Sequence, residues 1–154
     1  MLDLAADLGR LLPLAAQWAE EQATVLGSEG SALNVSEQGL AQSVGVKQPD
    51  RVRVCVVQRI PAPSHPLLSR ACAQLGFLGP DTAGLTLGYG VYLRTGLAGP
   101  ERSVLVHELR HVAQYEAYET IGAYLAVYIP QLLKYGYDRA PLEVDARAAE
   151  KRGV

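Results

Sequence analysis

Val104-Leu105-Val106-His107-Glu108-Leu109-Arg110-His111-Val112-Ala113-Gln114-Tyr115 is the stretch on which the reading of this chain turns. Apolar Val104, Leu105, Val106, Val112 and Ala113 bracket two histidines at helical spacing, the pattern of a helix with one buried face. Four residues of α-helix return the wheel to within about 40°, so His107 and His111 project from one face, one turn apart, and can grip one ion. Glu108 leaves the axis about 100° round from His107, beside the pair, where it can reach a metal-bound water as a general base. Gln114, within about 20° of His107, is placed to support a ligand or substrate. Arg110 puts a charge where this motif commonly has none, and its side chain is expected to point to solvent.

Zinc suits such a helix. It takes imidazole and carboxylate ligands tetrahedrally and lowers the pKa of bound water to about 7. A two-histidine, one-carboxylate set also binds iron or manganese. A third protein ligand is needed, and the only other histidine, His65 in Ser64-His65-Pro66, reads as a solvated turn residue. Glu143, opening the last helix after Pro141, is the first choice for metal ligand, because Ala146 one turn later is small enough for that helix to approach closely. Asp145, about 160° away on that wheel, is the alternative ligand or a partner that orients a histidine. Glu150, Glu116 and Glu119 complete the candidates. Tyr89, Tyr92, Tyr124, Tyr128, Tyr135 and Tyr137 can each in principle donate to a developing oxyanion, and sequence does not choose among them.

Outward from the motif, Leu4, Leu8, Leu11, Ala15, Trp18 and Val25 form a helical stripe, kinked or restarted at Pro13. Residues 27–50 form a loop-bounded connection with room for a short helix from Ser36 to Ser43. Arg51–Ile60 reads as a strand ending at Pro61, and Pro66–Leu75 as a helix closed by Gly76. Ala83–Thr95 is β-rich but broken by Gly84, Gly88 and Gly90, which suits a bent, bulged or edge strand, or a tight pair of strands. A loop Gly96–Pro100 leads to the motif helix from Glu101, whose charge suits a helix start. Helices over Ile121–Lys134 and Leu142–Lys151 follow. The order is helix, strand, helix, strand, helix, helix, helix, which makes the fold class α+β, in a single domain of residues 1–154.

Acidic and basic residues number 16 and 14 and no like-charge block occurs, which excludes the clustered Lys and Arg that nucleic acid binding needs. Asp3 and Asp7 precede the first basic residue, Arg10, so the start reads as mature and not as a secretory signal. Thr120–Leu133, interrupted by Pro130, falls short of the ~20 apolar residues of a membrane span. These features point to a cytoplasmic chain, export by a specialised machine aside. Cys55 and Cys72, among apolar neighbours, read as buried free thiols.

The motif stretch, together with Leu85-Thr86-Leu87-Gly88-Tyr89-Gly90-Val91-Tyr92 before it and Ala140-Pro141-Leu142-Glu143-Val144-Asp145-Ala146-Arg147 after it, resembles the gluzincin-type HExxH zinc metallopeptidases. It is closer still to a compact bacterial family of metallopeptidase-like chains, some linked to contractile injection systems. The resemblance covers residues 83–150. It implies a zincin-like fold, a strand before the metal helix lying at a sheet edge, and a third ligand from a later helix, which is Glu143. The function it implies is a zinc-dependent peptidase acting on a peptide or protein substrate through water activated by Glu108. The alternative is a zinc-binding regulatory or effector module of a larger bacterial assembly, with weak or no catalysis.

Overall fold

A computed structural model describes residues 2–96 and 101–152. Its elements are α1 (Leu4–Glu29), β1 (Ser31–Ala32), α2 (Val35–Ser43), a 3-10 turn (Pro49–Arg51), β2 (Arg53–Val57), α3 (Pro66–Leu75), β3 (Gly84–Leu87), β4 (Gly90–Arg94), α4 (Glu101–Tyr115), α5 (Ile121–Tyr135) and α6 (Pro141–Arg152). Six helices and a four-stranded mixed sheet are an α+β arrangement, as composition and periodicity indicate.

The sheet runs β1-β2-β4-β3, with β2 and β4 parallel and both outer pairings antiparallel. Alternation along its strands sorts the core into two faces. Val54, Val91 and Leu93 pack with Val106, Leu109 and Val112 of α4 and with Leu40 and Val44 at α2. Cys55, Val57, Leu85, Leu87 and Tyr92 face Ala19 and Leu26 of α1. The motif helix therefore lies on one face of the sheet and α1 on the other, while α6 packs along α4 and α5 along α1.

Several sequence expectations are corrected. Of the readings open for Ala83–Thr95, the tight pair of strands holds: Gly88, at φ +66°, makes the turn of a hairpin, and Arg94 returns antiparallel beside residue 83. The strand directly before the motif helix, β4, is thus interior, and the edge strand is β3. α1 continues through Pro13 without a restart. Pro13 and Gly9 both lie on the exposed face, so the carbonyl that proline leaves unpaired meets water. The buried stripe drifts to Ala19 and Leu26, leaving Val25 39% exposed. The strand expected over Arg51–Ile60 shrinks to five residues because Pro49 starts a 3-10 turn at one end. The short helix begins at Val35 with a capping box between Asn34 and Glu37.

The expected loop Gly96–Pro100 lies outside the described residues beyond Gly96, as does the side chain of Glu101. Among the described residues no helix is long and apolar enough to cross a membrane. Both cysteines are free and partly buried, and burial pushes the Cys72 thiol up to about 11.

Candidate metal centre

Two helices build the site. On α4, His107 and His111 stand one turn apart with their rings edge-on, 4.9 Å between centroids. On α6, Glu143 faces them across a helix contact made close by Ala146 and Ala149, neither of which keeps any exposure. His107 Nε2 lies 3.0 Å from Glu143 Oε1, His111 Nε2 lies 3.1 Å from Glu143 Oε2, and the two Nε2 atoms are 3.2 Å apart. All three side chains are buried and form a cluster able to hold a metal ion.

The hydrogen bonds around the cluster fix which ring nitrogens carry protons. Gln114 Nε2 donates to the Leu142 carbonyl and to Asp145 Oδ2, so its Oε1 must be the atom facing His111. That oxygen accepts from His111 Nδ1 at 2.8 Å and from the Tyr124 hydroxyl at 3.0 Å. His107 Nδ1 lies 2.8 Å from Glu150 Oε1, an acceptor. Both Nδ1 atoms therefore bear hydrogen, and both Nε2 lone pairs point at each other and at Glu143. Two lone pairs and a carboxylate converging in a buried space require a cation, either a proton or a metal.

The spacing fits a metal. Ligands about 2.0–2.1 Å from a tetrahedral zinc stand about 3.3 Å from one another, within a few tenths of the separations here. Without a metal, a proton takes the place. Burial depresses His111, but the Glu143 hydrogen bond and charge, the Glu108 charge and the Gln114 bond outweigh it and raise the imidazole to about 9. The same balance, led by burial and reversed by Glu143 and Glu108, raises His107. Burial would lift Glu143, yet its bonds to His107, His111 and Tyr128 hold it well below the usual carboxylate range.

A pH dependence follows. The stabilisation that the raised His111 gives the metal-free fold is fully present below the ordinary imidazole value of 6.5 and is lost as pH rises through about 9. A metal must expel that proton, so its apparent affinity is expected to rise across the same window, by up to about tenfold per pH unit for each proton released. Zinc titrations at several pH values in weakly buffered solution measure both the affinity and the released protons. A pH-independent affinity would contradict the protonation described here.

Glu108 does not join the three. The α4 face of β3 carries Gly84 and Thr86, and the Thr86 hydroxyl lies 3.0 Å from both the main-chain oxygen and Oε1 of Glu108. Gly84 is required by closeness: a Cβ there would sit 2.8 Å from Glu108 Cγ. Burial raises the Glu108 carboxyl, with Glu143 adding to it, against the charges of His111 and His107. Glu108 lines both concavities beside the triad, a small pocket of about 70 Å³ towards α1 and α5 and an open cleft of about 570 Å³ bounded by residues 76–84 and α6.

The structure therefore brings together His107, His111, Glu143, Glu108 and Gln114 as the spacing indicates. Asp145 takes the orienting role through Gln114. Arg110 corrects the solvent expectation: its Nε donates to Asp145 Oδ2 at 2.8 Å and its Nη1 to the Val44 carbonyl at 2.7 Å, tying α4 to α6 and to the end of α2. Glu150 orients His107, and its place seven residues after Glu143, on the same helix face, was the available signal. Glu116 is elsewhere, accepting from the amides of Lys47 and Gln48 and from Tyr89. Glu119 and His65 also lie away from the cluster, His65 capping α3 through the Leu67 amide. Of the tyrosines, Tyr128 donates to Glu143 Oε2 at 2.7 Å and Tyr92 bonds Gln22, while Tyr137 lines both concavities.

Compared with protein-family models, with curated proteins and with solved structures, the chain matches none. The resemblance to gluzincin-type peptidases accordingly rests on the chain's own residues.

Proposed function

We propose that this chain is a metal-dependent hydrolase of peptide bonds, with zinc held by His107, His111 and Glu143 and with Glu108 as general base, in a zincin-like arrangement. The observation that carries the reading is the convergence of two Nε2 lone pairs and the Glu143 carboxylate at 3.0–3.2 Å, with a second buried carboxyl, Glu108, left out of that cluster and facing both concavities. Zinc at such a set supplies Lewis acidity and brings the pKa of coordinated water to about 7.

The chain's own residues supply the rest. Burial and the neighbouring Glu143 raise the Glu108 carboxyl, which suits a group that must take a proton and then give it to a departing amine. Glu150 and Gln114 hold the two imidazoles by their Nδ1 hydrogens. Tyr137, 39% exposed between the two concavities, is the tyrosine best placed to donate to a developing oxyanion. An extended substrate would pair with the free edge of β3, near Leu85–Leu87, because β4 is already paired on both sides.

The test is purification without a metal-binding tag, elemental analysis by mass spectrometry, and digestion of a diverse peptide pool. About one zinc per chain and zinc-dependent cleavage support the proposal; zinc without cleavage of any peptide leaves a binding module, and no zinc after reconstitution removes the reading altogether. Gly84→Ala gives a finer check. The added methyl displaces the Glu108 side chain, so hydrolysis is expected to fall by about 10²-fold with zinc content unchanged. Equal turnover would mean Glu108 need not sit where Gly84 leaves room for it.

A further inference from the structure

The pocket beside His111 and Glu143 is walled on its far side by Trp18, Phe77, Leu125 and Tyr128. The same four side chains bound a second, partly open space of about 80 Å³ between α1, α3 and α5, lined also by Leu11, Leu68, Ala71 and Leu133. That rear space is lined almost wholly by carbon. Front and rear together approach the ~150 Å³ of an apolar cavity that takes up benzene. Only one of the four wall residues, Tyr128, is tied to the ligand cluster, through its hydroxyl on Glu143. Leu125 and Phe77 are held by packing alone and are only partly buried.

We propose that this wall sets the specificity of the site: the front pocket receives an apolar side chain of a peptide substrate, and Leu125 with Phe77 restricts it to a short one by closing off the void behind. The inference rests on the hydrolase reading above. The front pocket, about 70 Å³, is less than half the ~150 Å³ of a cavity that takes up benzene, so it suits the side chain of alanine or valine and not that of phenylalanine. Continuity with the cluster favours a substrate side chain as the occupant over a free ligand, since Glu108, His111 and Glu143 themselves line the pocket. Apart from those three and Thr86, its lining is glycine, aliphatic and aromatic side chains.

The experiment is calorimetric titration of dipeptide hydroxamates, differing only in one side chain (Ala, Val, Leu or Phe), into the zinc-loaded chain. The wild type is expected to bind the Val compound about tenfold or more tightly than the Phe compound. Leu125→Ala should reverse that order, and adding Ala71→Leu, which refills the rear void, should restore it. In parallel, benzene is titrated into the metal-free proteins and followed by NMR, with uptake expected in Leu125→Ala and not in the wild type. An unchanged Val-to-Phe ratio in Leu125→Ala overturns the proposal, as does a Leu125→Ala chain that takes up no benzene. Benzene uptake with no hydroxamate bound at a zinc-loaded site overturns the hydrolase reading instead, so the two failures are distinct. Should Leu125→Ala not fold, Leu125→Val carries the same ratio test with a smaller shift.

Discussion

Glu143→Ala is expected to leave the chain folded but unable to retain metal through purification. Among the described residues the carboxylate is the only anion in contact with both Nε2 atoms, at 3.0 and 3.1 Å, and its loss leaves two imidazoles, too few for a tightly held zinc. The fold should tolerate the change. With the anion gone, His111 loses its strongest reason to stay protonated and can become neutral, so no charge is stranded. What remains is the Tyr128 hydroxyl, 5% exposed and without its acceptor, at a cost of about 1–3 kcal/mol. Two further variants grade the result. Gln114→Ala removes the group that orients His111 but no ligand, so zinc should bind about 10–100-fold more weakly and still saturate. Asp145→Ala should retain metal, because Asp145 contributes no atom to the ligand cluster and acts on it through Gln114. Zinc dissociation constants from competition with a chromophoric chelator, alongside thermal melts, order the variants. Full zinc occupancy in Glu143→Ala would place the ion elsewhere.

That ordering shows which parts of the site local sequence can carry. His107, His111 and Gln114 share one helix, so their relation is fixed by 100° per residue and nothing else. Glu143 becomes legible through Ala146: a small residue one turn on permits the close α4–α6 approach, and Ala146 is fully buried there. Glu150 was open to the same wheel argument, seven residues along the same face. The partners that come from other elements are a different matter. Arg110 finds Asp145 and the Val44 carbonyl, 35 positions away in one direction and 66 in the other, a pairing that no local pattern encodes. Thr86 reaches Glu108 only because β3 presents its even-numbered residues to α4, and that needs the hairpin at Gly88 to be known first. The glycines that left Ala83–Thr95 open between a bent strand and a tight pair have separate causes: Gly88 turns the chain with positive φ, and Gly84 makes room for a carboxyl. The choice of Tyr137 among the tyrosines needed the folded chain, because what distinguishes it, a place beyond α5 that lines both concavities, depends on elements far apart in sequence.

Glu108→Gln separates binding from chemistry most cleanly. Glutamine matches the shape of the side chain and can still meet the Thr86 hydroxyl, now 3.0 Å from Glu108 Oε1, and Glu108 contributes no atom to the His107–His111–Glu143 cluster. Zinc content and thermal stability are therefore expected to stay at wild-type values; burying an amide in place of a carboxyl whose pKa is already raised by its surroundings removes no required charge. On the proposed hydrolase reading the amide cannot accept the proton, and turnover should fall by about 10²–10⁴-fold, the range that positioned acid–base groups supply. KM should change little, since Glu108 acts in the reacting state and not in holding substrate. Measuring kcat and KM on a cleaved peptide, with zinc quantified in the same samples, checks each part. Unchanged, zinc-dependent turnover would move the base to another group, and among the described residues the other carboxylate lining the open cleft with a bond to the cluster is Glu150, through His107. A paired Glu150→Gln measurement would then decide whether that residue orients His107, which lowers zinc affinity about 10–100-fold, or moves the proton, which lowers turnover at full zinc occupancy.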